Sequence, residues 1–120
     1  MYNTGTYSQD GVINFKSGLL VASNIDNDGD TQIKISKLDN LLKDEEITFI
    51  KMDIEGAELE AVKGAENIIR TQKPRLAICV YHKPDDIITI PSLLLEYNSD
   101  YKFRLRHYGP FKSETVLYAF

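Results

Sequence analysis

The stretch from Ile47 to Tyr81 constrains the fold more than any other part of this chain. Ile47 to Ile54 is a mostly apolar run, suited to a central strand covered on both faces. Gly56 breaks it. Ala57, Leu59, Ala61, Val62, Ala65, Ile68 and Ile69 then recur at helical spacing. Glu58 and Glu60 fall in the first turn of that helix and Arg70 in the last, which suits the helix dipole. Lys73-Pro74 ends it, and Arg75 to Tyr81 reads as a second strand. A helix of about 16 residues runs ~24 Å, and a strand of about eight runs ~26 Å. The helix can therefore return the chain along the first strand. The spacing predicts a βαβ unit with two parallel strands and a right-handed crossover.

The flanks are less regular. Gln9-Asp10-Gly11 reads as a turn between short strands, Tyr2 to Ser8 and Val12 to Phe15. Asn27-Asp28-Gly29-Asp30 is a second turn. Gln32 to Ser36 alternates like a half-buried strand, and Leu38 to Lys43 holds one helical turn. After the βαβ unit, a helix is expected around Pro91 to Tyr97, with Pro91 at its first position. Tyr101 to Tyr108 and Glu114 to Phe120 follow as strands, the second antiparallel to the first. Gly64, inside the predicted helix, suggests a close approach of that helix to the sheet. The whole reads as one α/β domain over 1–120, with an irregular and β lead-in at 1–46 and an α/β core at 47–120.

With 120 residues, the chain buries roughly two-thirds of its unfolded surface on folding. A net charge of −4, with both signs interspersed, argues against a nucleic-acid partner. No apolar run reaches the ~20 residues of a membrane span, and no secretory leader is expected at the start. The single cysteine, Cys79, forms no internal disulfide, so a cytoplasmic setting is expected.

Alternation places Lys51, Asp53 and Glu55 on one side of the first parallel strand and its exit. Ligands of open α/β sheets bind outside the carboxyl ends of the strands. Asp53 and Glu55 lie at such an end, and His82 ends the neighbouring strand. A carboxylate–imidazole set suits proton abstraction from a hydroxyl. The same trio can hold a divalent cation, but that reading ranks lower, and no metal is assigned. Blander roles compete. Asp53 can serve the backbone of the turn, Glu55 and Glu58 can be first-turn charges, and His82 can be a loop residue. Arg104 and Arg106 read as a solvated face, His107 as a core histidine and Cys79 as packing.

The string Phe49 to Glu58, with Val62-Lys63-Gly64-Ala65 after it, resembles FkbM-type methyltransferases. The likeness continues through Lys73 to Ala77, Tyr81 to Asp86, Tyr101-Lys102, Leu105 to Tyr108 and Glu114 to Ala119. Leu38 to Leu42 resembles the family's lead-in to this string, and a weaker likeness covers Ser8 to Gly11 and Asn14-Phe15. The resemblance implies a partial Rossmann-like fold, roughly strands four to seven, in a mixed sheet closed by an antiparallel hairpin. It implies transfer of a methyl group from S-adenosylmethionine to a hydroxyl of a small molecule or sugar. It places Asp53, Glu55 and His82 at the active edge. The family's acidic glycine-rich loop has no counterpart here, so this chain is expected to be a C-terminal half that binds the cofactor weakly or not at all. The competing function is a non-catalytic remnant, or a split half that needs a partner chain. On that reading, strand 47–54 offers an open edge for self-association or for filling by Gln32 to Ser36.

Overall fold

In a computed structural model, residues 2–16, 24–25, 31–110 and 114–120 are described. The Asn27–Asp30 turn lies outside them. The predicted βαβ unit is present. β5 (Phe49–Met52) and β6 (Arg75–Cys79) run parallel, with Phe49 opposite Arg75 and Met52 opposite Ile78. β8 (Thr115–Ala119) pairs antiparallel with β6 on its other side, and β7 (Phe103–His107) pairs antiparallel with β8. The sheet order is β5-β6-β8-β7. β5 is shorter than the run that predicted it and lies at the sheet edge.

Alternation sorts this sheet into two faces. Met52, Leu76, Ile78, Val80, Leu117 and Ala119 are buried in one core with Ala61, Val62, Ala65, Ile69, Ile90 and Leu94 from the helices. Ala77 and Cys79 point the other way and are still buried, which fits β6 as an inner strand.

The connection between the parallel strands is two helices, not the single one expected. α2 (Glu58–Lys63) and α3 (Glu66–Gln72) meet at Gly64-Ala65. A Cβ at Gly64 would overlap the carbonyl oxygen of Tyr7. A close approach is present at Gly64, but its partner is the backbone of Tyr7 and not the β5–β6 sheet expected from sequence. Asp39 stitches the break. Its amide donates to the Gly64 carbonyl at 2.9 Å. Its carboxylate accepts the amides of Asn67 and Ile68, each at 2.9 Å, and so caps the start of α3. Lys73, at φ 46°, ends α3 in the left-handed conformation.

α4 (Asp86–Tyr97) begins earlier than predicted, and Pro91 lies inside it. The amides of Ile88 and Thr89 bond the Asp85 carbonyl at 3.0 and 2.8 Å, so the first turn closes upstream of the proline. Ile90 and Leu94, four apart, are both fully buried. That burial outweighs the one backbone bond a proline removes.

The first third forms its own four-stranded sheet, in the order β1-β4-β2-β3. β1 (Gly5–Thr6) runs parallel to β4 (Thr31–Ser36), and β2 (Gly11–Lys16) runs antiparallel to it. β3 (Asn24–Ile25) borders β2. The strands flanking Gln9-Asp10-Gly11 are thus separated by β4 and do not pair with each other. Asp10 explains this. Its carboxylate accepts from the Ser36 hydroxyl, the Lys37 amide and the Asn40 side chain, fixing the turn to the end of β4. Those bonds, Ser36 first, hold its pKa below the usual value. The expectation that Gln32 to Ser36 fills the edge of strand 47–54 is overturned, because β4 is occupied on both sides within this first sheet. α1 (Leu38–Leu41) is the single helical turn expected.

His107 corrects another expectation. It is exposed on β7, beyond helix cover, with Nδ1 2.9 Å from the Thr115 hydroxyl. Arg104 and Arg106 are exposed, as read from the sequence.

Candidate functional site

Beyond Met52 the chain leaves β5 and turns sharply into α2. Glu55 (φ 56°) and Gly56 (φ 92°) both take left-handed backbone. Glycine adopts this freely, whereas at Glu55 it costs roughly 1–2 kcal/mol. A Cβ on Gly56 would lie 3.7 Å from the His82 Cβ, so the turn is packed against the residue that follows β6. The left-handed backbone also breaks the expected alternation. Asp53 borders a cavity of about 290 Å³ with Lys51, Cys79 and Tyr81. Glu55 borders a separate, largely apolar cavity of about 230 Å³, lined by Ile13, Ile33, Ile35 and Ile54.

His82 lies between them. Its Nε2 is 3.4 Å from a Glu55 carboxylate oxygen and 3.9 Å from one of Asp53. Its Nδ1 is 2.9 Å from Oε1 of Glu58. The sequence-derived trio therefore does converge at the carboxyl edge of the parallel pair, and a third carboxylate joins it. Neither ring nitrogen of His82 makes an aligned hydrogen bond, and Oε2 of Glu58 has no partner, although all these atoms are buried. Tyr81 lies beside the cluster. Its hydroxyl donates to Asp53 at 3.3 Å, and its ring stands 4.1 Å from that of His82. Burial, and then the Asp53 charge, push the Tyr81 phenol up to about 12. The Cys79 thiol rises to about 11 for the same two reasons, which suits packing and not nucleophilic chemistry.

Two residues of this edge were missed as site residues. Glu58 reads in sequence as a solvated first-turn charge, yet it is fully buried. Its Oε1 accepts the Ile54 amide at 2.9 Å, folding the side chain back over the turn. The signal was available, because Glu58 precedes Ala61, Val62 and Ala65 by three, four and seven residues and so shares the buried stripe. Asp86 looks like a turn residue and is also buried, with Oδ2 unpartnered. Burial raises its pKa. Lys83 and His82 oppose the rise, and Glu58 adds to it.

A parallel βαβ unit within a mixed sheet, with an acidic turn and an imidazole at its carboxyl edge, defines a partial Rossmann-like α/β fold. Residues 3–105 match the methyltransferase FkbM domain, and the chain belongs to that family. It is 33% identical to the methyltransferase FkbM of Methylobacillus flagellatus KT, whose crystal structure superposes with a TM-score of 0.80. The match covers 99% of this chain and 28% of that one, so this chain spans little more than a quarter of that relative's length. No protein of curated function matches the sequence.

Family membership implies S-adenosylmethionine as the methyl donor. The described residues do not fit the whole cofactor. The turn from β5 into α2 has one glycine and no glycine-rich loop to hold the methionine carboxylate, and the side chains gathered at this edge are mostly acidic, with Lys83 against Gly56. Among the described residues, no helix is long and apolar enough to cross a membrane.

Proposed function

We propose that this chain serves S-adenosylmethionine-dependent methyl transfer to a hydroxyl of a small molecule or sugar in the cytoplasm. On this reading Asp53, Glu55 and His82 form the rim that removes the hydroxyl proton, and the chain alone binds the cofactor weakly or not at all. The observation that carries it is the convergence of carboxylates on His82 at the edge where α/β sheets bind ligands. A poised imidazole–carboxylate rim contributes roughly 10²–10⁴-fold to such a proton transfer. Calorimetric titration of the chain with S-adenosylmethionine tests the cofactor half of the proposal, and micromolar affinity would refute it. For the rim, the chain is combined with a segment supplying a glycine-rich strand–loop–helix. Asp53→Asn and His82→Gln should each then lower kcat by about 10²-fold or more. Unchanged turnover would remove those residues from the reaction.

A second reading has its own support. β5 is an edge strand, and its first residue, Phe49, is 57% exposed. An open apolar edge pairs readily with another strand, and a second copy of this chain is the occupant we propose. Sedimentation should show dimers that Phe49→Lys dissociates. A strictly monomeric chain would contradict this.

A further inference from the structure

We infer that Asp53, Glu58 and His82 form a binding site for one divalent first-row transition-metal ion. Each offers a ligand atom, and these atoms all lie within 4.8 Å of one another. Ligand atoms on such an ion stand ~2.0–2.2 Å from it and, at tetrahedral angles, about 3.3–3.6 Å apart, so the side chains need to close by up to about 1.5 Å.

The proximity of acidic groups alone would not carry this. The second observation is what these buried groups lack. Glu58 is fully buried, and only its Oε1 is hydrogen-bonded, to the Ile54 amide. Both nitrogens of His82 are buried without an aligned hydrogen bond, although carboxylate oxygens surround them. Buried polar atoms are ordinarily partnered. Among the described residues, no lysine or arginine forms an ion pair with Asp53, Glu55 or Glu58. Three carboxylates thus crowd one imidazole, and an added positive charge would relieve both the repulsion and the unpartnered atoms.

The donor set selects the ion. Two carboxylates and one imidazole suit Zn²⁺, Mn²⁺ or Fe²⁺ better than Mg²⁺, which favours oxygen ligands and retains its water. Three protein ligands leave positions open. A substrate hydroxyl bound there would have its pKa lowered. With Asp53 and His82 as ligands, the proton-accepting part of the rim would fall to Glu55 alone, 3.4 Å from the ring. That use rests on the methyl-transfer reading, but the ion site itself does not.

The test is calorimetric titration of the full chain with Zn²⁺, Mn²⁺ and Mg²⁺ near neutral pH, without cofactor or acceptor, alongside Mn²⁺ electron paramagnetic resonance. One Zn²⁺ or Mn²⁺ per chain is expected, with Mg²⁺ at least about tenfold weaker. Asp53→Asn, at an exposed side chain that leaves the fold intact, and His82→Gln should each weaken binding about tenfold or more. Asp85→Asn, at a nearby exposed carboxylate outside the cluster, should change it less than about twofold. Circular dichroism confirms that each variant is folded. No binding at millimolar metal, or equal weakening by Asp85→Asn, overturns the site. Metal binding without methyl transfer in the reconstituted system would sustain the site and refute the methyl-transfer reading.

Discussion

The two sheets of this chain are built differently. The sheet of β5, β6, β8 and β7 and the three helices packed against it together carry nearly all the buried apolar side chains, including Ile78 and Leu117 from the strands and Ile69 and Leu94 from the helices. From the sheet of β1, β4, β2 and β3, only Ile35 is buried among the described side chains. That sheet is held largely by polar bonds to its ends, such as those of Asp10, and by the contact of Tyr7 with Gly64. Apolar burial sets the position of the site, while polar stitching fastens the first sheet beside it. The Glu55 cavity lies where the two meet.

The largest expected effect separates the sheets by burial. Ile78→Ala, at a fully buried position of β6, should lower unfolding free energy by about 3–4 kcal/mol. Ile33→Ala, half-buried in β4, should lower it by only about 1 kcal/mol. Urea denaturation measures both, and equal losses would erase the contrast. Gly64→Ala drives a methyl group into the Tyr7 carbonyl and should cost about 2 kcal/mol, with faster amide exchange in β1 and β4. Asp39→Ala removes the cap on Asn67 and Ile68 and should cost about 1 kcal/mol in the same assay.

The smallest effect concerns Asp86. Burial raises its pKa in the folded chain, so the charged form is disfavoured there. Its protonated form contributes stability that is present at low pH and is lost as pH rises through the raised folded value. Asp86→Asn should therefore be slightly more stable than the native chain at neutral pH. The gap should close as pH falls below the ordinary carboxylate range. A gap that widens on acidification would contradict the burial argument.

The sequence revealed what burial and periodicity write locally. The parallel pair was legible because an apolar run, a glycine, a helical stripe and a second apolar run follow in order from Ile47 to Tyr81. The convergence of Asp53, Glu55 and His82 was legible because all three follow the carboxyl ends of neighbouring parallel strands. What failed was long-range or one step beyond a local rule. The partner of Gly64 is Tyr7, far off in sequence, and β4 separates two strands that look like a hairpin. Pro91 sits inside α4 because Ile90 and Leu94 bind the core on either side of it. Glu58 was assigned by its closeness to the helix start, when its place on the apolar stripe decides its burial.

The metal site depends on Glu58 and His82 meeting at the carboxyl edge of β5 and β6, and the methyl-transfer rim depends on that same placing of His82. A double-mutant cycle on unfolding free energy with Glu58→Gln, His82→Gln and the double variant measures that contact. The expected coupling is on the order of 1–2 kcal/mol. Additivity within about 0.5 kcal/mol would show that the two side chains act independently and that the site is not assembled as described.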